Sequence, residues 1–321
     1  MLSQKFKINH DDVSFFRKHG FVMLRSIFSQ ETVDHMASLS RPAVVAPADN
    51  YGAGFSKLKY DIGNDDPYVL GLMKDERFAA AMSELTGQKL FFTQGLGFEL
   101  EKNKSTGFPW HVGTQSFGFQ RLEDYACTIW TPLCRINTKG QRGGMAYVPK
   151  DVLSGAFIYQ HINMLPDYIK AKIESGEPYG FAEFDALKND VLNSPAMSEL
   201  LEFYAVEDDF EVGDALLFDK YVLHKSIKLG EGPIASRLAY ALRFCSVEAR
   251  YDQKRVAALQ TPRRLFNYDV GSDFNEIVCS RDGERVFDSP YFDQTREKRT
   301  VSPVSPRVPE KRRVPATTEV A

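Results

Sequence analysis

Hydrophobic and polar positions fall into two textures along the chain, and the change comes near residue 89. Before it, apolar residues recur at helical spacing between recognisable stops and starts. Asn9 is placed to cap a helix over Asp11–His19, with acidic residues in its first turn and Gly20 at its end, and Phe21–Leu24 then reads as a strand. Ser29 opens a second helical stretch, and Asp75–Leu85, closed by Gly87, is a third. Helices therefore dominate the first third.

From Lys89 the pattern becomes short apolar or alternating runs: Lys89–Thr93, Gly97–Glu101, Tyr125–Ile136, Gly144–Val148, Asp214–Phe218 and Ile234–Val247. Short strands without regular strand–helix alternation predict a closed double-sheet architecture rather than a parallel α/β sheet. The expected fold is α+β with a mainly β core, a double-stranded β-helix or jelly roll behind N-terminal helices. A mixed insertion over 155–204, with helical candidates at Pro166–Glu174 and Pro195–Phe203, reads either as a lid or substrate wall or as solvated decoration. Residues 1–294 are taken as one domain, and 295–321, with Pro303, Pro306 and Lys311-Arg312-Arg313, as a flexible basic tail.

Composition narrows the class. The chain has 321 residues, 43% hydrophobic and 26% charged, enough for a large core. A formal charge of −3 gives no reason to expect a nucleic-acid polymer or a membrane as partner. The four cysteines, Cys127, Cys134, Cys245 and Cys279, show no C-x-x-C pairing, and no run has signal-peptide or membrane-span length. A reducing cytoplasm is expected.

Two histidines carry the candidate chemistry. His111 lies two residues before Gly113 in Phe108-Pro109-Trp110-His111-Val112-Gly113, and His224 lies far downstream, followed by Arg237 and Arg243. A facial triad of two histidines and one carboxylate holds iron on one face and leaves three positions open. In His-x-Asp the aspartate supplies that carboxylate; here the position is Gly113, which cannot ligate. Loss of the anion leaves a coordination position for an exogenous anion and makes the centre more positive by one charge. With six histidines in the chain, two of them as plain core or surface residues is the competing reading. Glu99 and Asp124 are candidates for a carboxylate supplied from another strand.

Trp110-His111-x-Gly113, the strand Thr128–Leu133, the turn Gly143–Pro149, the strand Gly213–Phe218, His224, Arg237 and Arg243 occur in order. In these motifs, over Phe21 to Val247, the sequence resembles the phytanoyl-CoA-hydroxylase-like superfamily and, within it, the aliphatic non-haem iron halogenases, whose motif is His-x-Gly or His-x-Ala. The resemblance implies Fe(II) held by His111 and His224, chloride beside Gly113, and 2-oxoglutarate gripped at its distal carboxylate by Arg237, whose planar fork suits a carboxylate. It implies Thr128 and Trp130 lining the cosubstrate pocket and Arg243 near the halide. The implied reaction consumes O2 and 2-oxoglutarate and transfers chloride to an unactivated carbon of a small metabolite, as in natural-product biosynthesis.

Phe117, Phe119, Phe157 and Tyr159 are candidate substrate-wall residues or plain core, and His161 is read as a polar residue of the insertion. The substrate, free or tethered to a carrier protein, is left open. Arg250, Lys254, Arg255, Arg263 and Arg264 form a basic run that suits either a phosphate on the substrate or a solvated surface. Hydroxylation by the same kind of site and a metal-free binding protein of the same fold are the alternatives.

Overall fold

The computed structural model describes residues 1–46, 54–114, 116–267 and 272–303. Local signals set the first elements. Helix α1 (His10–His19) begins where Asn9 accepts from the N–H groups of Asp11 and Asp12 while Asp12 accepts from the Asn9 N–H. It stops at Gly20, whose φ of 80° lies in the left-handed region. Strand β1 (Phe21–Leu24), α2 (Gln30–Ala43, capped by Ser29), β2 (Lys57–Tyr60), α3 (Pro67–Leu72) and α4 (Glu76–Thr86, between Asp75 and Gly87) follow.

The β-rich part contains β3 (Leu90–Glu101), β4 (Ala126–Pro132) and β5 (Met145–Val148), then helices α5 (Ala156–Glu174), α6 (Phe181–Asn193) and α7 (Pro195–Tyr204). Strands β6 (Val206–Glu207), β7 (Ala215–Asp219), β8 (Leu223–Ser226) and β9 (Ser236–Ser246) complete the sheets. Helices α8 (Gln253–Phe266), α9 (Phe274–Ile277) and α10 (Arg296–Arg299) end the described chain.

All strand pairs are antiparallel, in a six-stranded sheet ordered β1-β7-β4-β9-β3-β2 and a three-stranded sheet ordered β6-β5-β8. Because side chains alternate along a strand, register assigns each residue to a core. Ile129, Leu217, Leu242 and Phe244 join Val13, Met36 and Phe78 of the N-terminal helices in one cluster. Their strand neighbours Trp130, Leu216, Phe218 and Ala241 face the other way, into a cluster shared with Met145, Tyr147 and Leu223 of the small sheet. The functional residues lie in this space between the sheets.

Three expectations are revised. The runs Lys89–Thr93 and Gly97–Glu101 are one strand, β3, and not two. Gly95 within it marks no turn; a Cβ there would run into the Ile62 carbonyl, so the glycine admits a close backbone approach. The 155–204 interval is more helical than expected, since α5 starts ten residues before Pro166 and α6 was not anticipated. The tail does not begin at Thr295. Arg299, 2% exposed, donates to the Thr93 carbonyl and to Asp65, and the Val301 N–H donates to Leu90 O. Lys311, Arg312 and Arg313 lie outside the described residues.

Candidate active site

His111 and His224 meet across a single antiparallel bridge that extends the small sheet beyond β8. Each backbone N–H donates to the other's carbonyl, at 2.9 and 3.0 Å. Directly opposed residues project from the same face, and the two imidazole centroids lie 4.2 Å apart. His111 Nδ1 is 2.8 Å from the Pro109 carbonyl and His224 Nδ1 is 2.8 Å from the Val222 carbonyl. A carbonyl only accepts, so both Nδ1 atoms carry the proton and Nε2 is the lone-pair nitrogen on each ring, the tautomer a metal needs. Burial, followed by the neighbouring His111, holds the His224 imidazole well below the usual histidine range.

His111, Gly113, Thr128, Trp130, His224 and Arg243 line one cavity of about 60 Å3, together with Phe55, Phe98, Phe108 and Lys225 among others. Arg237 is not among the lining residues. It is fully buried on the same strand as Arg243, its guanidinium over the rings of Phe98 and Trp130, which are themselves in the wall. Its Nε donates to the Gly143 carbonyl at 2.7 Å, but Nη1 and Nη2 have no partner among the described residues. Burial lowers its pKa to about 10. A buried guanidinium with two unused donors is costly unless an anion completes it, and the fork fits a carboxylate.

Among the described residues no third His, Cys, Asp or Glu joins the histidines in a group that could hold a metal ion. Glu99 pairs with Lys57 at 3.2 Å, and Asp124 accepts from the Arg250 N–H at 2.6 Å. The room expected beside Gly113 is partly taken: a Cβ there would stand 2.9 Å from the Phe117 ring and 3.7 Å from the Tyr159 hydroxyl.

Of the other candidates, Tyr159 is buried and its hydroxyl donates to the Lys220 carbonyl at 3.4 Å. Lys220 stands over the Tyr159 and Tyr221 rings and donates to Arg121 O at 3.0 Å; burial lowers its amine pKa to about 7. Phe119 packs edge-on against Phe274 in a separate cluster, and Phe157 is 38% exposed; neither lines the cavity. His161 Nε2 meets the Leu187 carbonyl at 3.1 Å, a tie between α5 and α6. The basic run is dispersed: Arg255 is buried and donates to Tyr159 O, Arg263 pairs with Asp273 and Glu276, and Arg264 bonds Gln260.

Sequence reasoning did not reach the residues bracing the bridge. Asn193, at the end of α6, accepts from the Trp110 N–H and donates to the Trp110 carbonyl, at 3.1 and 3.2 Å. Glu202 Oε1 on α7 accepts from Trp110 Nε1 at 3.1 Å and from Lys225 Nζ. One carboxylate oxygen thus holds the neighbour of each histidine. Ordinary polar residues far away in sequence give no local sign of such a role.

Two antiparallel sheets enclosing a paired-histidine cavity define a jelly-roll oxygenase fold, and comparison with known proteins agrees. Residues 16–228 match the phytanoyl-CoA dioxygenase (PhyH) family, and the chain belongs to that family. No curated protein matches the sequence. Among solved structures, the non-heme alpha-ketoglutarate-dependent carbocyclase SnoK from nogalamycin biosynthesis is 16% identical with a TM-score of 0.55, covering 76% of this chain and 87% of its own. The epimerase SnoN, in complex with Fe3+, alpha-ketoglutarate and nogalamycin RO, is 17% identical with a TM-score of 0.55, covering 86% and 94%. EctD from S. alaskensis, in its apoform, is 16% identical with a TM-score of 0.54, covering 90% and 88%. At these identities the likeness is one of fold. No helix among the described residues is long and apolar enough to cross a membrane.

Proposed function

We propose that this chain is an Fe(II)- and 2-oxoglutarate-dependent enzyme that halogenates an unactivated carbon of a small molecule, with His111 and His224 as the protein's two iron ligands. The observation that carries the reading is the His111–His224 bridge with both Nδ1 atoms anchored, Gly113 two residues on, and no third ligating side chain in reach among the described residues. The donor set fits a divalent metal, and the two unpartnered Nη groups of Arg237 fit the distal carboxylate of 2-oxoglutarate.

Iron with 2-oxoglutarate, O2 and chloride would supply the oxidising power and the transferred halogen. The chain supplies position. The bridge fixes both imidazoles through backbone bonds, Phe98, Phe108, Trp130 and Phe218 exclude water, and Arg243 presents a cation to the cavity. At about 60 Å3 the space is well below the roughly 300–1,000 Å3 of a small-molecule pocket, so a loaded state needs the wall to open. Asn193 of α6 and Glu202 of α7 do not line the cavity but hold Trp110 and Lys225, so a shift of these helices would move Lys225, which does. The substrate is a small metabolite, free or carrier-tethered, with or without a phosphate, in the cytoplasm.

Hydroxylation by the same site is the second reading, favoured by the Phe117 ring packed against Gly113, which narrows the room for a halide. Anaerobic loading with Fe(II) and 2-oxoglutarate, followed by the visible metal-to-cosubstrate band with and without chloride, separates them. A band that shifts with chloride supports halogenation; a chloride-insensitive band favours hydroxylation. Absence of any band would sink both and leave a metal-free binding protein.

A further inference from the structure

Register chooses the partner of Arg243: Gln94 is the residue opposite it across β3 and β9. Arg243 Nη1 donates to Gln94 Oε1 at 2.7 Å, and Gln94 Nε2 donates to Asp61 Oδ1 at 2.8 Å and to Ser272 Oγ at 3.2 Å. Asp61 also accepts from the Ser272 hydroxyl at 2.9 Å and from Asn64 Nδ2 at 3.0 Å. The amide orientation follows from chemistry, because a guanidinium only donates and a carboxylate only accepts.

Asp61 therefore orients Arg243 without touching it. Had a carboxylate stood at position 94, the guanidinium would be neutralised by a direct ion pair; the amide passes on the alignment and withholds the charge. Arg243 is 6% exposed and Gln94 3% exposed, so water screens this cation poorly. Among the described residues those lining the cavity include no carboxylate, and the other lining cation, Lys225, is already paired with Glu202.

We infer that Gln94 is a positioning residue, a neutral spacer that holds Arg243 toward the cavity as an uncompensated cation reserved for a small anion, either a halide or a carboxylate of 2-oxoglutarate. The inference rests on the cavity being the metal and cosubstrate site proposed above. It predicts an asymmetry that a merely structural role does not: adding a charge at position 94 harms anion binding more than deleting all three side-chain hydrogen bonds.

The test uses the full chain loaded anaerobically with Fe(II), as wild type, Gln94→Glu and Gln94→Met, with the visible band as readout. In one arm 2-oxoglutarate is titrated in chloride-free buffer; in the other, chloride is titrated into the 2-oxoglutarate complex. Gln94→Glu is expected to weaken binding at least 10-fold in one arm, which identifies the anion, while Gln94→Met stays within about 3-fold of wild type in both. Unchanged binding by Gln94→Glu in both arms, or a loss in Gln94→Met as large as in Gln94→Glu, overturns the spacer. If Gln94→Glu does not fold, Gln94→Met decides alone, and a loss beyond 10-fold overturns it. A chloride-silent wild type retires halogenation only, since the 2-oxoglutarate arm still judges Gln94.

Discussion

Arg237 and Lys220 are both buried cations, and their surroundings make opposite demands. Arg237 has two donors without partners among the described residues, so its burial is unfavourable until an anion arrives. Replacing it with Met is expected to leave the metal-free protein as stable as wild type or more so, and to weaken 2-oxoglutarate about 10- to 100-fold, the worth of roughly 1.5–3 kcal/mol in charged hydrogen bonds. Melting curves with and without 2-oxoglutarate check both halves; a ligand-induced rise in Tm as large as wild type's would remove Arg237 from the cosubstrate site. For Lys220, burial lowers the folded-state pKa to about 7, below the ordinary lysine value. The unfolded chain therefore binds the extra proton between about pH 7 and pH 10.5, and stability rises with pH across that window. Below pH 7 both states are protonated and the penalty is complete. Lys220→Met should exceed wild type in Tm by most near pH 6.5, with the gap closing toward pH 10; a gap independent of pH would mean the amine does not titrate in this way.

Elements carry the coupling between helices and histidines. Glu202 on α7 holds Trp110 and Lys225, which flank His111 and His224 on their strands. In Glu202→Ala the Trp110 indole N–H loses its acceptor and Lys225 its counter-ion. Amide exchange is expected to quicken by about 5- to 10-fold at His111 and His224, equivalent to on the order of 1 kcal/mol of lost bracing, while β4 and β9 keep their protection. Uniform exchange across all these strands would instead indicate global destabilisation. At this scale the sequence was readable where its signals are local. Asn9, Ser29, Asp75 and Gly87 mark helix ends because a cap bonds within three or four residues, and β1 follows from the stop at Gly20. His111, Gly113 and His224 stood out in the sequence as a candidate site, and the structure brings all three to one cavity. Glu202 and Gln94 did not: Trp110 lies 92 residues from the first and Arg243 149 from the second, and only the packing of α7 and the β3–β9 register bring them together. The runs Lys89–Thr93 and Gly97–Glu101 read as separate for a related reason: Gly95 interrupts the apolar pattern between them, and only the structure shows that it admits the Ile62 carbonyl within one strand.

At the scale of the whole molecule, residues 296–303 are structural members of the large sheet's edge region. Composition gave no hint of this, because a basic stretch near Pro and Ser reads as solvated unless its arginines have buried carbonyls to bind. Arg299 has one: Nη1 donates to Thr93 O at 3.1 Å, Nη2 to Asp65 at 3.0 Å, and its guanidinium lies over the Phe92 and Phe292 rings. Val301 then bonds Leu90 O, and Thr300 is paired with Phe91 in an isolated bridge. A chain ending at Gln294 would uncover Leu90, Phe91 and Thr93, all now buried, and strand the Thr93 carbonyl. Three net hydrogen bonds at about 1 kcal/mol each, with about 1–2 kcal/mol from burial of Val301, amount to roughly 4–5 kcal/mol. That corresponds to a fall in Tm on the order of 10 °C for a protein of this size. Because β3 carries Gln94 at the same end of the sheet, the shortened chain should also lose affinity for the small anion while His111 and His224 still bind metal. A truncated protein with unchanged Tm would show that 295–303 merely rests on a sheet already complete without it.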